Sequence, residues 1–140
     1  MKESDLQVQV ADYLRLQYPD VLFHSDFGSG IKLTMGQAAK QKRQNGGRRA
    51  WPDMFIAQPA QRSSEYPDAC YKFGLFIELK KDGTRLKKKN GEWASDHIAE
   101  QAEILNQLKL RGYVAEFAVG FDQAKELIDK YLGVTKDGME

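Results

Sequence analysis

An apolar run, Phe73-Gly-Leu-Phe-Ile77, closes on Glu78-Leu-Lys80, and this junction constrains the fold more than any other stretch of the chain. It reads as a strand that carries two charged side chains from the interior to an edge. Strand period two sets Glu78 and Lys80 on one face and Leu79 on the other. The strand spans Tyr71 to Lys80, and Asp53-Met-Phe-Ile-Ala57 reads as its companion. The polar stretch from Gln58 to Ala69 between them is too long for a tight hairpin.

The other elements follow from periodicity. Leu6, Val10, Tyr13, Leu14 and Gln17 recur at helical spacing, with Asp5, Gln9 and Asp12 opposite, so a helix over residues 4–17 stops before Pro19. Residues 21–25, VLFHS, form a short strand, and Gly28 and Gly30 bracket a turn. Residues 34–45 hold good helix formers with few bulky apolar groups and end at Gly46-Gly47, which predicts an exposed basic helix with a glycine stop. Lys81 to Trp93 is a charged loop or long hairpin. Ser95 caps a helix through Arg111, with Ile98, Ala102, Leu105 and Leu108 inward and Gly112 at its end. YVAEFAV is a last strand, and Asp122 to Leu132 a last helix. The order αβαββαβα predicts an α/β fold, a mixed central sheet flanked by helices.

Composition removes several alternatives. At 140 residues, 41% hydrophobic and 29% charged, the chain has ordinary globular values and the length of one domain, expected over residues 1–133 with a short flexible tail at 134–140. No apolar run approaches the ~18 residues of a membrane span, so a membrane protein is excluded. The opening MKESDLQ has neither the apolar core of a secretory signal nor the Arg-rich character of a transit peptide, so a cytoplasmic location is expected. Cys70 is the single cysteine, and His24 and His97 lie at no ligand spacing, which argues against disulfide and zinc scaffolds and leaves both histidines as surface or packing residues.

The net charge of +1 conceals a segregation. Between Phe27 and Lys89 there are 14 Lys/Arg against 5 Asp/Glu, while the two flanks hold 7 against 15. A basic block of this kind suits a phosphate backbone, because each neutralised phosphate releases counterions. A solvated basic surface reads the same way from charge alone.

Phosphodiester chemistry with a metal calls for two carboxylates and a lysine on adjacent strands. Of the 20 acidic residues only Glu78 is followed two places later by lysine. Three Pro-Asp pairs compete for the upstream carboxylate, and only Pro52-Asp53 runs directly into an apolar strand. Asp53 and Glu78 would meet if their strands pair antiparallel. Gln101 shares a helical face with Ile98, Leu105 and Leu108, where an aliphatic side chain is the norm, so it either serves a polar partner or is a half-buried amide capping a loop. Glu3 lies three and seven residues before Leu6 and Val10 and faces the same interior if the helix starts early. It stands just outside the helix if Ser4-Asp-Leu-Gln7 is a capping box.

Pro52-Asp53, Glu78-Leu-Lys80, Gln101 with Leu108 and Gly112 behind it, and Glu3 on the first helix resemble the VRR-NUC (virus-type replication-repair nuclease) branch of the PD-(D/E)XK nucleases over residues 3–120. Trp51 directly before Pro52-Asp53 and the long Lys81–Trp93 segment depart from the family pattern. The resemblance implies a PD-(D/E)XK restriction-endonuclease-like core with Glu3, Asp53, Glu78, Lys80 and Gln101 as its catalytic set. Asp53, Glu78, Glu3 and the carbonyl of Leu79 would be ligands of Mg2+ or Mn2+, which accept one or two carboxylates and keep several waters. Lys80 would orient the attacking water, and Gln101 would align Lys80 or that water. Lys42, Arg43, Arg48, Arg49, Lys87 and Lys88 would bind the substrate backbone without reading bases. The implied activity is a structure-selective DNA endonuclease acting as a homodimer on Holliday junctions or flaps in replication and repair. The alternative is a nucleic-acid-binding module that keeps the fold and does not cleave.

Overall fold

The structure is a computed structural model that describes residues 2–26, 32–48, 50–63 and 66–133, without the side chains of 61–71. Arg49 and the expected tail at 134–140 lie outside the described residues. The elements in chain order are α1 (Glu3–Gln17), β1 (Phe23–Ser25), α2 (Met35–Gln44), β2 (Met54–Ile56), β3 (Ala60–Ser63), β4 (Tyr66–Lys72), β5 (Leu75–Lys80), α3 (Asp96–Leu110), β6 (Val114–Val119) and α4 (Gly120–Leu132).

Four strands form a sheet in the order β1-β2-β5-β6. The β1–β2 and β2–β5 pairs are antiparallel, and β5–β6 is parallel through the α3 crossover, so the sheet is mixed. Alternation along β5 then divides the core. Leu75, Ile77 and Leu79 face Leu6, Val10 and Leu14 of α1 and Ala124, Ile128 and Tyr131 of α4. Phe76 faces the other way, toward Leu105 and Leu108 of α3. Tyr13 and Tyr18 both donate to Asp129 Oδ1 at 2.5 Å, tying α1 to α4 beneath the sheet.

The polar connection expected from Gln58 to Ala69 is instead an antiparallel ribbon of β3 and β4, and the single strand expected over Tyr71 to Lys80 is two. The interruption sits at Phe73-Gly74. A Cβ on Gly74 would lie 2.7 Å from the Phe55 ring and 3.0 Å from the Ile56 carbonyl oxygen, so only glycine lets β5 approach β2 this closely. Gly74→Ala should therefore destabilise the protein by about 1–3 kcal/mol through overpacking, read as a lower urea midpoint with an unchanged slope.

The remaining helices form as their ends dictate. Thr34 Oγ1 accepts from the Gln37 amide and Gln37 Oε1 from the Thr34 amide, a reciprocal cap that starts α2, and Gly46 and Gly47 stop it with positive φ. No α2 residue is buried. Ser95 Oγ accepts from the Ile98 amide at 3.2 Å and starts α3. The Lys81–Trp93 segment doubles back on itself through a Lys87–Trp93 bridge, with Lys87 Nζ 4.7 Å above the Trp93 ring. Among the described residues no helix is long and apolar enough to cross a membrane.

Candidate active site

β5 delivers Glu78 and Lys80 to the α3 side of the sheet, where they are only 3% and 7% exposed. The β2–β5 register pairs Met54 with Ile77 and Phe55 with Phe76, which sets Asp53, one residue further, opposite Glu78. Asp53 shares the face of Phe55, and Glu78 that of Phe76, and those two rings stack at 4.4 Å. Both carboxylates therefore emerge on one side of neighbouring strands. Asp53 Oδ2 accepts from the Leu79 amide at 2.8 Å, so a β5 backbone group fixes its orientation. Leu79 itself turns its side chain into the core.

Burying two acids side by side has an electrostatic consequence. Burial first, then the hydrogen bond and charge of Asp53, with a smaller contribution from Glu3, push the Glu78 carboxyl up to about 11 against the opposing pull of Lys80. Glu78 Oε1 is also buried with no hydrogen-bond partner. Asp26 is raised as well, by burial and by the charge of Asp53, with His24 opposing. A buried carboxylate oxygen without a donor, next to a second carboxylate, is suited to a cation. Among the described residues no three His, Cys, Asp or Glu side chains gather into a complete metal cage. The Asp53–Glu78 pair nonetheless fits a hard divalent ion of the Mg2+ type, which takes one or two carboxylates and retains waters.

These residues line a cleft of about 760 Å³. Glu3, Asp53, Glu78, Lys80 and Gln101, drawn from α1, the approach to β2, β5 and α3, all border it. Glu3 occupies the first turn of α1, inside the helix, and Asp5 rather than Gln7 meets the opening backbone by accepting from the Lys2 amide. Gln101 is 6% exposed, and its Oε1 has no partner. Lys42 and Arg48, on and just beyond α2, also line the cleft. Arg43, Lys87 and Lys88 are exposed and do not line the cleft. The Lys87–Lys89 run sits on the folded-back segment after β5, so the basic block divides between two parts of the surface.

Sequence reasoning missed Gln7, Asp26 and His97. Asp26 and His97 border the cleft. Buried Gln7 donates through Nε2 to the carbonyls of Asp26 at 3.0 Å and Asp53 at 3.5 Å, holding α1 to the ends of β1 and β2 where the site is built. Its signal was present: Gln7 precedes Val10 and Leu14 by three and seven residues, the same polar-on-apolar pattern that singled out Gln101. Asp26 and His97 carried no such pattern.

A solved structure described as a VRR_NUC domain protein superposes on this chain with a TM-score of 0.62, covering 96% of this chain and 90% of its own, at 24% sequence identity. The chain has the VRR-NUC fold. No family model and no curated protein matches the sequence. The VRR-NUC likeness of the backbone agrees with the motif resemblance at Pro52-Asp53 and Glu78-Leu-Lys80. The mixed sheet with its flanking helices is consistent with the PD-(D/E)XK-like core expected from those motifs. In this VRR-NUC fold the antiparallel β2–β5 pair is what sets the two carboxylates side by side.

Proposed function

We propose that this chain is a metal-dependent, structure-selective endodeoxyribonuclease. The observation that carries the reading is the convergence of Asp53 and Glu78 on adjacent antiparallel strands, with Lys80 on the same face, in a cleft walled by cationic side chains. Asp53 and Glu78 would hold Mg2+ or Mn2+, with Glu3 and the Leu79 carbonyl completing the set. What a bound divalent ion supplies here is a water of lowered pKa and charge neutralisation at the phosphoryl group, worth several kcal/mol.

The chain's own residues would do the rest. Lys80, held rigidly in the β5 ladder, orients the attacking water and offsets negative charge that builds up in the transition state. Gln101 aligns that water or Lys80 through its free Oε1. Lys42 and Arg48, with Arg43 and Arg49 nearby in the chain, grip phosphates on either side without reading sequence, while Lys87 and Lys88 would engage a more distant part of the substrate. Contacts that read backbone shape favour branched DNA, such as four-way junctions or flaps met during replication and repair. A homodimer would present two such clefts to two symmetric strands.

The test is end-labelled junction, flap, duplex and single strand incubated with the purified protein at low salt in Mg2+, Mn2+ or EDTA. Branched substrates should be cut fastest, with nothing cut in EDTA. Substrates left intact in both metals would overturn the reading, and binding that persists under chelation without any cutting would establish a non-cleaving module instead.

A further inference from the structure

Beside the catalytic cleft lies a second, smaller recess of about 190 Å³, which shares Asp26, Asn45, Trp51 and Asp53 with it. Its wall away from the carboxylates is aromatic. Phe55 and Phe76 stack at 4.4 Å, Trp51 tilts at 51° with its ring 6.3 Å from that of Phe76, and Tyr113 backs Phe76 at 5.1 Å. Tyr113 packs against both Phe55 and Phe76, so that pair is preformed, yet the surface is not closed: Phe55 and Phe76 are half-buried, and Trp51 is 37% exposed. His24 and Asn45 add hydrogen-bonding groups to the wall.

We infer that this recess holds one unpaired nucleobase of the DNA strand whose phosphate lies at Asp53 and Glu78, with Trp51 as its exposed stacking face. This inference rests on the nuclease reading and names the substrate feature that the site selects. An aromatic surface edged by polar groups matches a nucleobase, which has π-faces and a heteroatom rim. Any base stacks there, so the contact is indifferent to sequence. A base inside a duplex is covered on both faces and cannot enter without leaving the stack, whereas the first unpaired nucleotide of a flap or splayed arm is already free. The recess thus gives a physical reason for preferring flaps and splayed arms over continuous duplex DNA. It also gives a role to Trp51, the residue by which this chain departs from the family pattern ahead of Pro52-Asp53.

The test uses two DNAs carrying 2-aminopurine, one at the first unpaired nucleotide of a splayed-arm duplex and one at the same position of a fully paired duplex, titrated with the full chain at low salt in EDTA. Wild type should quench the splayed-arm probe on binding. Trp51→Ala should lose that quenching and bind splayed DNA roughly tenfold more weakly, with paired duplex unchanged, while Trp51→Phe keeps most of both. Replacing the probe base by an abasic site should weaken wild-type binding by a similar factor, an arm that needs no protein variant. The inference is overturned if wild type shows no quenching, if the abasic substitution costs nothing, or if Trp51→Ala loses affinity equally for both DNAs. All these arms measure binding, so a chain that passes them and never cuts DNA refutes the nuclease reading alone. A chain that cuts splayed DNA and fails them refutes the recess alone.

Discussion

Glu78→Ala and Lys80→Ala should each lower the single-turnover cleavage rate by about a thousandfold or more while leaving binding to branched DNA largely intact. Both side chains are buried at the end of β5 and face the cleft, so each acts from a fixed position and no neighbour can swing in to replace it. Asp53 lies opposite Glu78 and borrows the Leu79 amide for its orientation, which makes the three groups one unit. The double variant should therefore lose little more than either single one, because residues that act together show non-additive losses. Lys80→Met, which keeps an unbranched side chain in the buried slot, separates lost chemistry from lost packing. A Lys80→Met protein that melts like wild type and cuts at the wild-type rate would remove Lys80 from the mechanism.

The second large effect concerns stability. In the folded, metal-free protein the Glu78 carboxyl is pushed up to about 11, from 4.5 in an unperturbed chain. Between those values the folded state holds a proton that the unfolded state has released. The associated stability is full below the unfolded pKa and is lost as pH rises toward the folded one. Urea unfolding in EDTA should accordingly show stability falling from pH 5 to pH 9. Glu78→Gln is neutral at every pH and should escape this loss, exceeding wild type at pH 8 by on the order of 2 kcal/mol and matching it more closely at pH 5. Mn2+ should stabilise wild type and leave the variant unmoved. A glutamine variant that is less stable than wild type at pH 8 would mean that Glu78 is not held at the expense of the fold.

What the sequence revealed divides along physical lines. Gln101 was legible because a polar side chain on the apolar face of a regular helix stands out against periodicity, and Ser95 because a cap has a chemical signature. Asp53 stands apart from Asp20 and Asp68 because only it enters an apolar strand, and the β2–β5 register sets it opposite Glu78. The β3–β4 ribbon was hidden by its composition, as polar residues with two prolines nearby read as connection when the pairing partner is itself part of the same stretch. The break at Gly74 depended on the Phe55 ring and the Ile56 carbonyl, which are neighbours only in space. Glu3 had two readings until the helix start was known, and Gln7 settled it by donating to the carbonyls of Asp26 and Asp53 instead of closing a cap. Charge could not separate Lys42 and Arg48, which reach the cleft, from Lys87, which folds over Trp93. A run of like charges specifies sign and density, and the backbone alone decides which way it faces.

The most direct measurement is an electron paramagnetic resonance titration that counts free Mn2+ against wild type, Asp53→Asn and Glu78→Gln at pH 8. Wild type should withdraw Mn2+ from solution at a saturable site, and each variant should leave it free. Wild-type protein that leaves all the Mn2+ free, or variants that bind it as well as wild type does, would show that these two carboxylates do not hold the ion.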